Sequence, residues 1–312
     1  DVKTLVLDEA DRMLDMGFFD DINDIISRMP TARQTLLFSA TWPNEIAAIS
    51  RKIQQNPVTI EINSVDELPA VEQQFYEISR HGKIGLLQKL LSREQPASCV
   101  VFCNTKRDCQ DVYETLTESN QSVLALHGDM EQRERDQTLI RFANGSCRVL
   151  VATDVAARGL DIKALEMVIN YELSWDPEVH VHRIGRTARA GESGLAISFC
   201  APEEIQRANA LEEMLHMKIN WLPVPTGLQI TPLEATMATL CIDGGKKAKM
   251  RPGDILGALT GDMGFNGADI GKIMINPTHA YVAVKQSIAK QVWKQLQQGK
   301  IKGKAVKVRL FR

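Results

Sequence analysis

Three stretches of this sequence gather residue types suited to chemistry on a phosphoanhydride. In Leu5-Val-Leu-Asp-Glu-Ala-Asp11 a short apolar run delivers Asp8, Glu9 and Asp11 at its carboxyl end. Carboxylates so placed can hold Mg²⁺ through water and orient a water for attack on phosphate. In His182-Arg-Ile-Gly-Arg-Thr-Ala-Arg189 the arginines Arg183, Arg186 and Arg189 recur at intervals of three. On a helix that spacing puts them roughly on one face, where like charges repel unless an anion lies between them, and a triphosphate is such an anion. Between these stretches, Val151-Ala-Thr-Asp-Val-Ala-Ala-Arg-Gly-Leu-Asp161 runs from an apolar strand into a glycine-containing loop with two carboxylates and an arginine. Ser39-Ala-Thr41 closes a further apolar run. Taken singly, each has a plain structural reading: an N-cap for Ser39 or Thr153, a surface turn for the acidic run, a solvated helix face for the arginines. Their joint occurrence, in this order and each at a strand end, points to phosphate chemistry.

Such residues need a scaffold that lines up strand ends. Residues 4–7 and 35–38 read as strands, with a helix from Pro43 to about Lys52. After a polar stretch around 60–72, strands are expected at 71–78, 98–102, 122–126, 148–151, 166–170 and 195–199. Helices at 83–91, 107–116 and 131–142 alternate with them. Repeated strand–helix units imply an α/β fold with a parallel sheet covered on both faces, whose ligands sit at the carboxyl ends of the strands. Trp221-Leu-Pro-Val-Pro225 suits an extended linker crossing that domain's surface. From about 233 the order becomes βαββαβ, with strands at 239–242, 272–275, 280–284 and 306–310 and helices at 252–259 and 288–297. The expected domains are 1–62, a linker at 63–72, 73–218, a linker at 219–232, and 233–312.

Composition narrows the class. The chain has 312 residues, 44% hydrophobic and 24% charged, which excludes collagen-like, mucin-like and wholly disordered polymers. No apolar run reaches the ~18 residues of a membrane span, so no membrane partner is expected. The six cysteines form no CxxC pair, and several sit in apolar runs; they read as buried reduced thiols of a cytoplasmic protein. Charge is segregated: residues 228–312 hold 14 Lys and Arg against 5 Asp and Glu, a balance of +9, which leaves −11 on the rest. A basic tail on an acidic body points to an anionic partner, nucleic acid first.

Over about residues 1–225 the sequence resembles the DEAD-box RNA helicases. Asp8-Glu-Ala-Asp11 matches the family's naming motif and Ser39-Ala-Thr41 its third. Val100–Thr105, His127-Gly-Asp129 with Gln132 and Arg135, Ala152–Asp154 through Asp161, and His182–Arg189 match later ones. Ala188 stands where the family usually has Gly. The resemblance implies RecA-like parallel-sheet domains, the first only partial, with ATP and Mg²⁺ as cofactors. It implies that Asp8 binds Mg²⁺ through water, Glu9 polarises the attacking water, Asp161 contacts the ribose, and Arg186 and Arg189 reach the γ-phosphate. His182 would tie that site to Asp11 and Thr41, with Ser39 in the same coupling group. Gln132, Arg135, Thr153 and Arg158 would border the RNA backbone. Arginines from a second domain complete such a site only when the cleft closes, which couples hydrolysis to the RNA-bound state. One family element is missing: there is no GxxxxGK[ST], and Gly244-Gly-Lys-Lys247 has neither its spacing nor its strand–loop–helix context. The chain opens on Asp1 and reads at once as a strand, so it is expected to begin inside a domain.

The tail resembles the RNA-recognition domain of the bacterial DbpA-type helicases, which bind large-subunit ribosomal RNA, through Ile242–Asp254 and His279–Val284. RNA-recognition folds stack bases on aromatics of their first and third strands. Here the first strand offers Cys241 and the third Tyr281 alone. Lys246, Lys247, Lys249 and Arg251, with Lys300, Lys302, Lys304, Lys307 and Arg309, look more like the binding surface, which suits a folded RNA read by shape and phosphate positions. The resemblance implies a monomeric, cytoplasmic ATP-dependent RNA helicase that unwinds short duplexes in large-subunit ribosomal RNA and acts on pre-ribosomal particles. The alternative is a non-catalytic RNA-binding protein, since the phosphate-binding loop is missing. A DNA helicase of the same superfamily is argued against by the acidic tetrapeptide and the RNA-type tail.

Overall fold

The computed structural model describes residues 2–39, 41–61, 71–157, 165–188, 194–227 and 229–311. The chain divides into two units, 1–66 and 67–312. In the first, β1 (Thr4–Leu7) pairs in parallel with β2 (Gln34–Leu37), and α1 (Ala10–Asp15), α2 (Phe19–Ser27) and α3 (Asn44–Ile53) complete it. Leu5 and Leu7 on alternate positions of β1 meet Ile22 of α2 and Ile49 and Ile53 of α3 in a small core.

The second unit opens with β3 (Val71–Glu77), α4 (Lys83–Glu94), β4 (Cys99–Cys103), α5 (Lys106–Glu118), β5 (Val123–Leu126) and α6 (Gln132–Ala143). It continues through β6 (Val149–Thr153), α7 (Asp154–Ala157), β7 (Met167–Asn170), α8 (Pro177–Ile184), β8 (Gly194–Cys200), α9 (Ile205–Leu215) and β9 (Trp221–Leu222). These strands form one parallel sheet in the order β5-β6-β4-β7-β8-β3-β9. Every residue of β4, β6 and β7 is buried, as expected of a sheet covered on both faces. Within β4, Cys99, Val101 and Cys103 face the core under α4 and α5, while Val100 and Phe102 face the one under α6. The expected extended linker adds a short strand, β9, to the sheet edge before it crosses the surface. Leu233 then plugs into the core beneath α4 and α5, with its N–H donating to Gln121 Oε1 (2.7 Å).

The tail follows as β10 (Met237–Asp243), α10 (Pro252–Gly257), β11 (Ile270–Ile275), β12 (His279–Lys285), α11 (Ala289–Gln298), β13 (Lys300–Ile301), β14 (Lys304–Ala305) and β15 (Val308–Leu310). Its antiparallel sheet has the order β11-β12-β10-β15, the expected βαββαβ arrangement with an added hairpin, β13–β14. α10 and α11 cover one face of that sheet. All six cysteines are buried free thiols, and burial pushes those of Cys109 and Cys200 up to about 11 and Cys147 to about 12. Among the described residues no helix is long and apolar enough to cross a membrane.

Candidate functional site

In the first unit Leu7 of β1 lies level with Leu37 of β2, so the acidic turn leaves its strand beside Phe38–Thr41. Phe38 N–H donates to the Leu7 carbonyl (2.8 Å) and Ala10 N–H to the Phe38 carbonyl (3.0 Å). Asp11, 5% exposed, joins the two segments. One of its oxygens accepts from the N–H (2.8 Å) and the hydroxyl (2.9 Å) of Thr41, the other accepts from Arg12 N–H, and Asp11 N–H donates to Ser39 Oγ. Burial pushes the Asp11 carboxyl up, but the bonds from Thr41, Arg12 and Ser39 outweigh it and hold the group below the usual carboxylate range. Asp11, Ser39 and Thr41, grouped from sequence, form one hydrogen-bonded cluster.

Asp8 and Glu9 stand exposed at the strand end. Glu9 N–H donates to Asp8 Oδ1 (3.0 Å), and the Glu9 backbone is left-handed, with φ 50° and ψ 46°. That conformation costs a non-glycine residue about 1–2 kcal/mol. Strain of this kind persists where the surrounding fold imposes it, and here it lets α1 begin directly after β1. Two adjacent, solvent-facing carboxylates fit Mg²⁺, a hard ion that takes one or two carboxylates and keeps several waters. Among the described residues no three His, Cys, Asp or Glu side chains converge as a closed metal cage.

In the second unit the expected RNA-bordering residues gather around the ends of β5 and β6. Thr153 ends β6 and is buried; Gln132 opens α6 and donates to Asp136 Oδ1 (2.7 Å); Arg135 reaches the Ala156 carbonyl in α7 (3.5 Å). Arg158, Asp161 and Arg189 lie outside the described residues. His182 stands near the end of α8, and Arg186 in the turn after it, where Leu165 N–H donates to its carbonyl (3.1 Å). Ala188 is left-handed, at φ 53°, which is the physical reason a glycine suits that position.

Arg183 and Arg186 do not share the one helix face expected for them. α8 ends at Ile184 with Gly185 as its C-cap, and Arg183, 2% exposed, turns into the body. Its Nε and Nη2 grip Asp154 Oδ1 and Oδ2, each at 2.7 Å. Nη2 also donates to Asn104 Oδ1 (2.9 Å), and Nη1 to the Glu172 carbonyl (2.8 Å) and Asn170 Oδ1 (3.3 Å). The spacing of arginines gave no signal for this, because the compensating carboxylate lies 29 residues away in sequence.

In the tail, Lys246, Lys247, Lys249 and Arg251 are all exposed. Their loop is held against the turn at 276–278: Lys246 N–H donates to the Asn276 carbonyl (2.9 Å) and Lys247 N–H to that of Pro277 (3.0 Å). A Cβ on Gly245 would lie 2.1 Å from the Asn276 carbonyl oxygen, so only glycine permits this approach. Lys302 of the β13–β14 hairpin donates to the Lys249 carbonyl and pairs with Asp254, fixing the hairpin beside the loop.

The face of the tail sheet not covered by α10 and α11 is closed. Tyr281, 4% exposed, stacks on Phe311 (centroids 6.2 Å apart) and packs with Cys241 against Ile140 of α6, while the Arg141 guanidinium lies 5.6 Å from the Phe311 ring centre. Thr239 Oγ1 accepts from Asn144 and donates to Ser146 Oγ, each at 2.8 Å. Sequence reasoning had no handle on this contact, because both partners look like ordinary strand and helix residues.

The geometry defines a class: strand-end carboxylates coupled to a Ser-Ala-Thr turn, a parallel-sheet domain carrying a His–Arg segment, and a basic RNA-recognition module. Family models match in the same order: a DEAD/DEAH box helicase at residues 1–49, a helicase conserved C-terminal domain at 82–191, and a DbpA RNA binding domain at 239–310. The chain is 70% identical over 311 residues to the ATP-dependent RNA helicase DbpA of Escherichia coli, covering 100% of this chain and 68% of that protein. It is 35% identical over 327 residues to the Bacillus subtilis protein of the same name, covering 97% and 68%. Among solved structures, yeast Dbp5 bound to RNA and ADP BeF3 superposes with a TM-score of 0.65 at 33% identity, over 71% of this chain and 60% of that one. The chain belongs to the DEAD-box ATP-dependent RNA helicases, and within them to the DbpA type with its RNA-binding domain.

Proposed function

We propose that this chain supplies about two thirds of an RNA-stimulated ATPase that unwinds short duplexes in large-subunit ribosomal RNA during ribosome assembly, as a cytoplasmic monomer acting on pre-ribosomal particles. The observation that carries the reading is the tail: its base-stacking face is closed by α6, while a preformed loop keeps Lys246, Lys247, Lys249 and Arg251 in solvent. Such a module favours folded RNA, read by phosphate position, over a splayed single strand. Glu9 orients the attacking water. Asp8 holds Mg²⁺ through water, and that ion offsets phosphate charge when bound. Asp161 positions the ribose, and Arg186 and Arg189 stabilise charge on the transferred group. Asp11, Ser39 and Thr41 hold the turn that His182 engages. Gln132, Arg135, Thr153 and Arg158 border the RNA backbone.

The phosphate cradle itself is not among these 312 residues, since no GxxxxGK[ST] occurs in them. We place it in a segment joined upstream; the relatives named above are longer than this chain, which spans 68% of each. That same lack favours the second reading, a non-catalytic RNA-binding protein. The test is ATP hydrolysis by the upstream-extended chain with a large-subunit ribosomal RNA hairpin, an unrelated hairpin of equal length, or no RNA. Stimulation specific to the ribosomal hairpin supports the first reading. Binding of RNA without hydrolysis by the extended chain supports the second.

A further inference from the structure

Arg183 is a heavily committed side chain of the second unit that the reading above leaves without a role. All five guanidinium N–H groups are used, and no part of the group faces solvent. Its partners come from three places. Asp154 is the first residue of α7, directly after Thr153. Asn104 follows β4 and directly precedes Thr105, the N-cap of α5. Asn170 ends β7, and the Glu172 carbonyl lies just beyond. Asn104 is locked in turn: its N–H donates to Glu172 Oε2 and its Nδ2 to the Leu173 carbonyl, each at 2.9 Å. The guanidinium also lies 5.2 Å from the Phe102 ring centre.

Arg183 stands next to His182 in sequence and three residues before Arg186. One planar group therefore binds the segment assigned above to the nucleotide to the strand ends assigned above to RNA. A buried ion pair is a poor device for stability alone, because desolvation offsets much of its attraction, whereas bidentate Arg–carboxylate geometry fixes direction as well as distance. Hydrophobic side chains would fill the same space without fixing where Asp154 and Asn104 stand relative to α8.

We propose that Arg183 is a positioning residue that carries the RNA-dependent part of activation: RNA seated along Thr153 and Arg135 fixes Asp154, and Arg183 transmits that placement to α8 and so to His182 and Arg186. The inference rests on the proposed function for the roles of those flanking residues. Arg183 does not touch the nucleotide. Its loss therefore lowers the gain from RNA and leaves hydrolysis without RNA in place.

The experiment uses the helicase extended upstream through its phosphate-binding loop, with Arg183→Lys, Asp154→Asn and Asn104→Ala. Asp154→Asn keeps the shape and removes the charge; Asn104→Ala removes one bond of the five and keeps the ion pair. Arg183→Lys and Asp154→Asn are expected to lower RNA-stimulated kcat by at least about tenfold, with RNA-free turnover and KM for ATP within about twofold of the parent. Asn104→Ala is expected to lower the stimulated rate by about three- to tenfold in the same pattern. If RNA-free and stimulated rates fall together, in step with Tm, Arg183 is a structural clamp and the proposal is wrong. An unchanged ratio of stimulated to RNA-free rates in a folded variant also overturns it. Should Arg183→Lys fail to fold, Asn104→Ala decides by the same ratio. A parent chain that hydrolyses ATP with no response to RNA sinks the functional reading, and the proposal falls with it.

Discussion

A left-handed glutamate at position 9 and a buried aspartate at position 11 divide the acidic turn between two tasks: Glu9 and Asp8 remain in solvent, while Asp11 is spent on Thr41, Arg12 and Ser39. In the upstream-extended chain, Glu9→Gln is expected to leave nucleotide affinity nearly unchanged and abolish turnover, as read by equilibrium binding beside steady-state rates. Equal loss of both would make Glu9 a structural carboxylate. Asp11 answers to pH. Its folded-state carboxyl lies below the ordinary value of 3.8. The ionised form thus contributes stability that is present above that value and lost as pH falls through the lower folded one. Asp11→Asn, which sets an amide against the Thr41 donors, is expected to cost about 1–3 kcal/mol and to flatten the acid limb. Urea midpoints of the first unit across the acid range check both expectations. The resemblance implied the grouping of Asp11, Ser39 and Thr41, and the parallel pairing of β1 with β2 is what brings the three together. Arg183 was not legible in sequence: periodicity cannot tell a guanidinium pointing at solvent from one pointing at a carboxylate that folding alone brings near.

At the scale of elements, most of the strands and helices followed from period and punctuation. Among the missed pieces, α1 and α2 lie in a stretch read only for its acidic turn, and β9 and the β13–β14 hairpin are strands of two residues, too short for alternation to show. The lysine loop was legible as charge, but its rigidity was not, since that depends on Gly245 meeting the Asn276 carbonyl. Replacing Lys246, Lys247 and Lys249 by Ala is expected to weaken binding of a ribosomal RNA hairpin and to flatten the slope of log K against log[salt] by about 2, because each phosphate contact contributes about 0.7–0.9. Gly245→Ala removes no charge, yet the added Cβ must displace the loop. It is expected to lower RNA affinity by about threefold to tenfold, a loss of about 0.7–1.4 kcal/mol. Tyr281→Ala should behave in the opposite way. RNA affinity changes by less than the ~1–3 kcal/mol of a true stacking residue. Amide exchange in α6 quickens as the closed face loosens. A larger loss of RNA affinity from Tyr281→Ala than from the triple lysine change would return binding to the sheet face.

For the molecule as a whole, the charge ledger sets −11 on residues 1–227 against +9 on the tail. On the proposed function, capture of RNA falls to the tail, because an acidic body does not attract an anion at long range. The 312 residues alone are expected to hydrolyse ATP negligibly with or without RNA, because they contain no GxxxxGK[ST], the motif whose backbone N–H groups and lysine cradle phosphates. A phosphate-release assay on the purified chain checks this, and turnover typical of an ATPase would place the cradle in residues outside the known motif.

Leu233, wholly buried beneath α4 and α5, has a bearing on how the molecule comes apart. It lies only four residues before the first strand of the tail, and Tyr281 and Thr239 hold the same tail from the side of α6. Pulling the tail away therefore opens a hole in the neighbouring core, and melting that core frees the strap that anchors the tail. Calorimetry of residues 67–312 should show one endotherm for both sheets, and Leu233→Ala should split it in two. Proteases should meet the strap as part of a folded body, cutting it at a rate set by unfolding of the whole unit rather than by the looseness of a tether.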